Sequence, residues 1–578
     1  MEIKLAKTAG FCMGVRRAVD TVLDVSQHET GRKIYTYGPL IHNPQTIELL
    51  KNRGITAIKH IDEIADPKNA LLVIRAHGIA PGDRRKIKES GVKIIDATCP
   101  KVGYVQAIIK KHTALDYTVV IAGDREHPEV DGLWGYTEGR GVIVSTLEDA
   151  EKIPAMEKVC IVAQTTQDSD HYREIVRKIQ KKNPRAVVFN TICSSTEKRQ
   201  EEIISLAAEM DALFVVGGKN SANTRRLADL ARKQNTTTFH IETVRELKNI
   251  DLGPYKSIGV SAGASTPNWI IDQITDHLAE KKSRPNKKTA FLLNLWLWMV
   301  KTDFYSALGA GCLALAGMLL QNIPLSVASI AVASFFVYAM HVLNRLVTSK
   351  ESGLIGSFRE PFYLRHEKMF CLAAFASLLV ALLLSLTGSI YAFGLLLFIS
   401  AAGGIYNMKL LPGNRRFGRL RDIPGSKNFF TAVAWGIVTA VLPALSRGWD
   451  FSAGMAVAFI FTFVLVFIRS AMSDIIDMQS DRLLGRETIP VIIGKEKTQA
   501  LLKIILLILL AILIIAPIAG WSPTLSIFLV LCVLYVWICF GLCDRRAGFS
   551  GATIEGLLET SYIIAGFAVL GWLVFRWS

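Results

Sequence analysis

The sequence lacks charge over six long stretches of its C-terminal half. Residues 304–343, 369–408, 429–446, 451–468, 504–543 and 560–575 contain no Asp, Glu, Lys or Arg. About 20 consecutive apolar residues span a bilayer, so these absences exclude an ordinary soluble enzyme, a secreted protein and a disordered tail. The first residues, MEIKLAKTAGFC, lack a basic region followed by an apolar core and a small-residue cleavage site. No secretory signal is therefore expected. Acidic residues are the scarcer charge, 50 against 66 Lys and Arg, which leaves a net charge of +16. That excess invites a nucleic-acid reading, but its placement argues against one. It gathers at Lys281, Lys282, Arg284, Lys287 and Lys288 and in short loops between apolar runs, where membrane proteins carry orientation signals.

What is present divides the 578 residues in two. Residues 1–280 carry charge throughout and read as a soluble α/β domain, 281–290 as a basic linker, and 291–578 as an all-α polytopic membrane domain. About nine transmembrane helices fit, near 304–320, 323–346, 369–387, 389–407, 429–446, 451–470, 502–519, 523–543 and 555–575. The loops on one side are basic, whereas the opposite loops and the C-terminal end carry only Arg447 and Arg576. The positive-inside rule places the N-terminal domain in the cytoplasm, at the inner membrane. The run FLLNLWLWMV, with Trp296 and Trp298, reads as an interfacial helix before the first span.

Six of the nine cysteines read as packing residues: Cys160 in a strand-like run, and Cys312, Cys371, Cys532, Cys539 and Cys543 in or beside apolar spans. The other three share a context. Cys12 (KTAGFCMGVRRAV), Cys99 (IIDATCPKVGYVQAI) and Cys193 (VVFNTICSSTEKRQ) each follow an extended run and open a basic helical run, 87 and 94 residues apart. This predicts a threefold repeat of strand, Cys turn and helix that brings three thiols to one point, with helix N-termini lowering the thiol pKa. Disulfides are not expected in a reducing cytoplasm. Structural zinc and iron–sulfur clusters usually take four ligands. Three cysteines leave a zinc or redox-sensing site and a cluster with one open iron both standing.

Further polar residues gather where apolar strand-like runs end, which is where open α/β sheets bind ligands. They are His42, His77, His127, Glu129, Thr165, Ser221, Asn223 and Ser265. The turn GGKNSANT, between a strand and a helix, offers backbone N–H groups to an anion. Glu129 is the titratable acid in a pocket otherwise rich in donors, hence the candidate proton source.

Together FCMGVRRAV, GPLIHN, RAHG, DATCPKV, GDREHPEV, QTT, GKNSANTRRL and GAST resemble, in order over about 1–280, the 4-hydroxy-3-methylbut-2-enyl diphosphate reductases of the non-mevalonate isoprenoid pathway. The resemblance implies a trefoil of three αβ lobes around a 4Fe-4S cluster on Cys12, Cys99 and Cys193, whose open iron binds the substrate hydroxyl. It implies that His42, His77, His127, Ser221, Asn223 and Ser265 hold the diphosphate and that Glu129 with Thr165 delivers protons. Two electrons and two protons then remove the hydroxyl as water, giving isopentenyl and dimethylallyl diphosphates. Ala222 stands where many members have a second Ser, which removes one hydroxyl contact. No electron-donor domain is visible, so an external ferredoxin or flavodoxin is expected.

In the membrane half, RSAMSDIIDMQSDRLLGRETIP places Asp474, Asp477 and Asp481 at i, i+3 and i+7 on one helical face. Carboxylates there suit Mg²⁺, and Mg²⁺ suits a diphosphate, with Arg469, Arg482 and Arg486 able to neutralise further phosphate charge. This stretch, with RLRDIPGSKNFFTAVAWG, resembles the UbiA family of intramembrane prenyltransferases. The resemblance implies prenyl transfer from a polyprenyl diphosphate. The family's first aspartate motif departs: Asn344 is followed by Thr348 and Ser352 where two aspartates are usual, and Glu351 is the nearest carboxylate. A degenerate domain that anchors the reductase or binds isoprenoid lipid is the alternative.

Overall fold

The computed structural model describes residues 2–29, 31–282, 287–352, 360–406, 420, 423–448, 451–484, 486–544 and 551–577. The chain forms two compact units, Met1–Lys282 and Ser283–Ser578.

The first unit holds twelve described strands in three four-stranded sheets. They are β1 (Glu2–Leu5), β2 (Lys33–Tyr37), β3 (Ile55–Ile58), β4 (Ala70–Ile74), β5 (Lys93–Asp96), β6 (Thr118–Ala122), β7 (Gly141–Val144), β8 (Val159–Ala163), β9 (Val187–Val188), β10 (Ala212–Val216), β11 (Thr237–Ile241) and β12 (Ser257–Ala262). All pairings are parallel. Two sheets run β3-β2-β4-β5 and β7-β6-β8-β9, and the third runs β11-β10-β12-β1. The order is the same each time if β1 counts as the fourth strand of the third lobe. The repeat is therefore closed by the N-terminus, with Glu2–Leu5 pairing Ser257–Val260.

The central strands read as continuous apolar runs because helices cover both of their faces. Ala70–Ile74, Val159–Ala163 and Ala212–Val216 are buried along their whole length. Truncating one such side chain, Phe214 to Ala for example, costs about 3–5 kcal/mol. That is comparable with the whole stability margin of a domain, so these strands leave little freedom in where their ends lie. Those ends carry the site.

The second unit is helical. Among its described residues, six helices are long and apolar enough to cross a membrane: Val327–Thr348, Glu367–Gly388, Ser426–Leu445, Ala453–Met478, Lys495–Ile518 and Gly551–Arg576. A seventh arises if Phe291–Lys301 and Phe304–Leu320, bent by 82°, count as one span, and Ile390–Tyr406 and Leu525–Gly541 are shorter apolar helices. The finding is a membrane-type helical domain of about six candidate spans. Large apolar side chains such as Leu372, Tyr391, Phe398, Ile518 and Phe567 face outward, which suits lipid rather than water.

Two irregularities have identifiable causes. Pro443 lacks an N–H, and the helix before it widens to a π-turn over Ile437–Val441. Gln321 Nε2 donates to the Ala440 carbonyl at 3.0 Å there. The 82° bend falls at Asp303, a fully buried residue with φ 61°. Its carboxylate accepts from Arg345 Nε and the Tyr363 hydroxyl, each at 2.6 Å. A buried charge is tolerated when paired and hydrogen-bonded in this way.

Candidate active site

Corresponding strands of the three lobes end in corresponding positions. The register aligns Ile74 with Tyr37, Ala163 with Ala122, and Ala262 with Val216. After the first strand of each lobe comes a glycine, and four residues later a helix N-cap or the residue before one. Gly38 leads to His42, Gly123 to His127 and Gly217 to Ser221. Three residues beyond the third strands stand His77, Thr166 and Ser265. The fourth strands lead to Cys99, Cys193 and, through a longer loop, Cys12.

Each cysteine caps a helix N-terminus: Cys12 before Met13–His28, Cys99 before Pro100–Thr113 and Cys193 before Ser194–Glu209. Each is pinned by the same backbone bond to the turn after its lobe's third strand. Cys99 N–H donates to Ala76 O and Cys193 N–H to Thr165 O, both at 2.9 Å, and Cys12 N–H donates to Ala264 O at 3.1 Å. Gly14 has no side chain because a Cβ there would lie 2.5 Å from Cys99 Sγ.

The expectation that helix N-termini lower the thiol pKa needs correction at Cys99. The N–H groups of Lys101 and Val102 do pull it down, but burial, with Cys12 and Cys193 alongside, pushes it up. Three thiolates in that place need a cationic centre among them. Among the described residues, the three histidines are grouped closely enough for one ligand atom of each to share an ion. Arg199, unmarked by the sequence reading although it lies in the helix that Cys193 opens, is buried and donates to Gly10 O at 2.7 Å and Ala262 O at 3.1 Å.

One cavity is lined by Cys12, Cys99 and Cys193 together with His42, His77, His127, Glu129, Thr165, Ser221, Asn223 and Ser265. The three imidazoles pack against one another, with ring centroids 4.9, 5.5 and 5.9 Å apart. Burial lowers all three pKa values, aided at His42 by Arg75 and at His77 by the other two rings, and His127 falls to about 4. They are uncharged at neutral pH. His127 Nδ1 accepts from Glu129 N–H at 3.2 Å, so neutral His127 carries its proton on Nε2. Ser265 Oγ donates to the His42 carbonyl at 3.3 Å and lies 3.5 Å from Ser221 Oγ. The Gly-rich turn presses on the same carbonyl, because a Cβ on Gly218 would meet it at 2.8 Å. Asn223 Nδ2, His42 Nε2 and His77 Nδ1 are buried with no hydrogen-bond partner among the described residues. Such atoms are costly unless a ligand satisfies them.

Glu129 is almost fully buried. Its carboxylate accepts from Thr165 N–H at 2.7 Å and Thr165 Oγ1 at 2.8 Å. Burial raises its pKa, and the two Thr165 bonds oppose that without cancelling it. Arg226 ties this corner to the third lobe, donating to Thr166 O at 2.7 Å and to Asp124 Oδ1 at 2.6 Å. Its place in the GKNSANTRRL run, three residues after Asn223, was the available signal.

In the second unit, Asp474 is buried and accepts from Lys427 Nζ at 3.2 Å and Asn428 Nδ2 at 2.8 Å. Ser470 Oγ donates to Asn428 Oδ1 at 2.8 Å. Asp477 is partly buried one turn on, and Asp481 is buried with Arg486 at 3.6 Å. Asn344 is exposed on Val327–Ser352, and Thr348 bonds back to its carbonyl at 2.8 Å. The side chains of Glu351, Ser352 and Arg482 lie outside the described residues. Arg469 pairs instead with the buried Glu559. Lys427 and Asn428, in the GSKN stretch, were not singled out as ligand groups from the sequence.

Three thiols on helix N-caps and a polar pocket line one cavity of a three-lobed α/β frame. Residues 3–279 match the LytB protein family, and residues 365–553 match the UbiA prenyltransferase family. Over 283 residues the chain is 41% identical to the 4-hydroxy-3-methylbut-2-enyl diphosphate reductase of Opitutus terrae, covering 47% of this chain and 98% of that protein. It is 42% identical over 283 residues to the corresponding reductase of Aquifex aeolicus, covering 48% and 96%. A solved structure of (E)-4-hydroxy-3-methyl-but-2-enyl diphosphate reductase, 42% identical, covers 48% of this chain and 100% of its own, with a TM-score of 0.39. The chain belongs, through its N-terminal half, to the LytB family of 4-hydroxy-3-methylbut-2-enyl diphosphate reductases. Residues 365–553 form a UbiA-like, prenyltransferase-type module.

Proposed function

We propose that the N-terminal half reduces 4-hydroxy-3-methylbut-2-enyl diphosphate to isopentenyl and dimethylallyl diphosphates, on a 4Fe-4S cluster held by Cys12, Cys99 and Cys193. The observation that carries this is the threefold-equivalent placement of the cysteines at helix N-caps, facing one cavity with three neutral histidines and a buried acid. The bound cluster supplies electrons from an external ferredoxin or flavodoxin. The balance is one C–OH bond broken and one C–H bond formed, with two electrons and two protons taken up and one water released.

The residues' parts follow from their geometry. His127 donates from Nε2 to a phosphate oxygen. His42, His77, Ser221, Asn223 and Ser265 supply further donors from the same wall, which satisfies the orphaned buried atoms of His42, His77 and Asn223. Glu129 delivers a proton from its carboxyl, and Thr165 holds that group in one orientation. The test is anaerobic purification of the full chain in detergent, measurement of iron and sulfide, then substrate consumption with a reductant. A cluster without turnover, or no cluster after reconstitution, overturns the assignment.

Phosphate oxyanions beside the imidazoles raise the lowered pKa values, so the complex binds more protons than the free protein. Affinity therefore rises as pH falls toward the free-state His127 value of about 4. Binding at pH 6 takes up protons, measurable by calorimetry in buffers of different ionisation enthalpy. Zero uptake contradicts the imidazole contact.

The protein sits in the inner membrane through about nine transmembrane helices, with the reductase half in the cytoplasm. The segment Lys287–Lys301 lies along the interface, as its exposed Phe291, Leu292 and Trp298 and the 82° bend suggest. For the membrane half we propose prenyl transfer on Mg²⁺ and diphosphate held by Asp474, Asp477, Asp481 and Asn344. A second reading, a non-catalytic lipid-binding anchor, is favoured by one observation: both Asp474 oxygens already hold partners, Lys427 and Asn428. Asp474→Ala with Asp477→Ala abolishes prenyl transfer from a radiolabelled prenyl diphosphate under the first reading. Under the second, there is no transfer to abolish in the parent.

A further inference from the structure

We propose that His42, His77 and His127 also form a binding site for one borderline divalent metal ion, Zn²⁺ the best match, and that this ion and the diphosphate exclude each other. The site stands on geometry, and only the exclusion rests on the reading of the diphosphate pocket given above. One ring nitrogen from each residue lies within 4.8 Å of the others. They come from the ends of β2, β4 and β6, in two different lobes, so the set is built by the fold and not by a local run.

The lone pairs are available. His42 Nε2 and His77 Nδ1 are buried and have no hydrogen-bond partner among the described residues. His127 Nδ1 is engaged by Glu129 N–H at 3.2 Å, so the nitrogen it offers an ion is Nε2, which gives up its hydrogen on ligation. Zn–N bonds of about 2.0–2.1 Å in a tetrahedron put ligand nitrogens about 3.4 Å apart. Small rotations of the three rings close that gap and leave a fourth position to water. Neutral imidazoles suit zinc, cobalt or nickel and not magnesium, which prefers oxygen. Two cations temper the affinity: Arg75 faces His42, and Arg226 lies near His127 but is paired with Asp124.

Exclusion follows from the proton. A ring nitrogen donates to a phosphate oxygen only when it carries hydrogen, and it ligates a metal only when it does not. His127 is set for donation, because its Nδ1 accepts and its Nε2 holds the hydrogen. Metal binding removes that hydrogen, so the triad serves one ligand class at a time. Bound zinc thereby acts as a reversible brake on substrate binding.

The experiment uses the full chain with its cluster, in detergent and without oxygen, loaded with one equivalent of Zn²⁺. Zinc-edge X-ray absorption is expected to show nitrogen neighbours at about 2.0–2.1 Å with imidazole outer shells and no sulfur at about 2.3 Å. His77→Gln and His42→Gln should each lose the imidazole pattern. In turnover, zinc at ten times its dissociation constant raises KM about tenfold at constant kcat, by mass action. Sulfur neighbours, absence of bound zinc, or an unchanged imidazole pattern in both variants would falsify the site. Imidazole-bound zinc with an unchanged KM overturns the exclusion. Failure of the zinc-free, chelator-treated protein to consume substrate counts against the reductase reading and leaves the zinc spectrum to be judged on its own.

Discussion

Cys99→Ser yields a folded protein that holds no cluster and consumes no substrate. The residue's backbone stays pinned, because its N–H bond to Ala76 O does not use the sulfur. Serine is also a good helix N-cap, so the helix Pro100–Thr113 keeps its start. What is lost is the thiolate. Gly14→Ala separates this ligand role from a packing role. On propensity alone, alanine in a helix gains about 1 kcal/mol over glycine. Here the new methyl would lie 2.5 Å from Cys99 Sγ, so the thiol must move and cluster loading falls while every cysteine remains. Iron and sulfide content, with circular dichroism to show the fold, read both variants. A Gly14→Ala protein with full cluster content would show that Cys99 does not point where the metal sits.

Glu129→Gln is the second large effect. Turnover falls about 10²–10⁴-fold, the range for loss of a positioned proton donor, with cluster content and KM nearly unchanged. Gln is isosteric and keeps an oxygen for Thr165 N–H, so the pocket wall survives. It has no proton to give. The carboxyl is suited to the task because burial raises its pKa toward the working range. Equal loss in kcat and in cluster content would make Glu129 structural instead. A pH–rate profile distinguishes the roles further, since the limb belonging to Glu129 should vanish in the variant.

Much of the candidate site was legible in the sequence because its chemistry lies at strand ends. Strand ends are marked locally, by an apolar run that stops at Gly, His, Cys or Ser. All eleven residues expected around the N-terminal site line one cavity. The glycine-plus-four spacing of His42, His127 and Ser221 was readable too, and it would have aligned the lobes. What could not be read was non-local. Nothing in MEIKL says that it completes a sheet with residues some 255 positions away. Arg199 and Arg226 look like ordinary helix charges until the fold buries one and pairs the other. The thiol expectation failed at Cys99 because it weighed a helix dipole without the burial and mutual repulsion that oppose it. In the membrane half, hydropathy located the helices, yet it gave no sign that Lys427 and Asn428 would meet Asp474.

The closure of the third sheet by β1 has a consequence for biogenesis. Cys12 is made some 250 residues before Ala264, whose carbonyl fixes its backbone. Its lobe is assembled only after β12 has been made. A nascent chain with two of the three thiols in place, those of Cys99 and Cys193, cannot yet present the third in register. The apolar helix beginning at Phe304 follows only some 40 residues after Ala264 in the chain. Iron delivery and membrane insertion therefore compete for the same short interval of translation. Slowing elongation just after residue 264 should favour the metal-loaded form over the empty one.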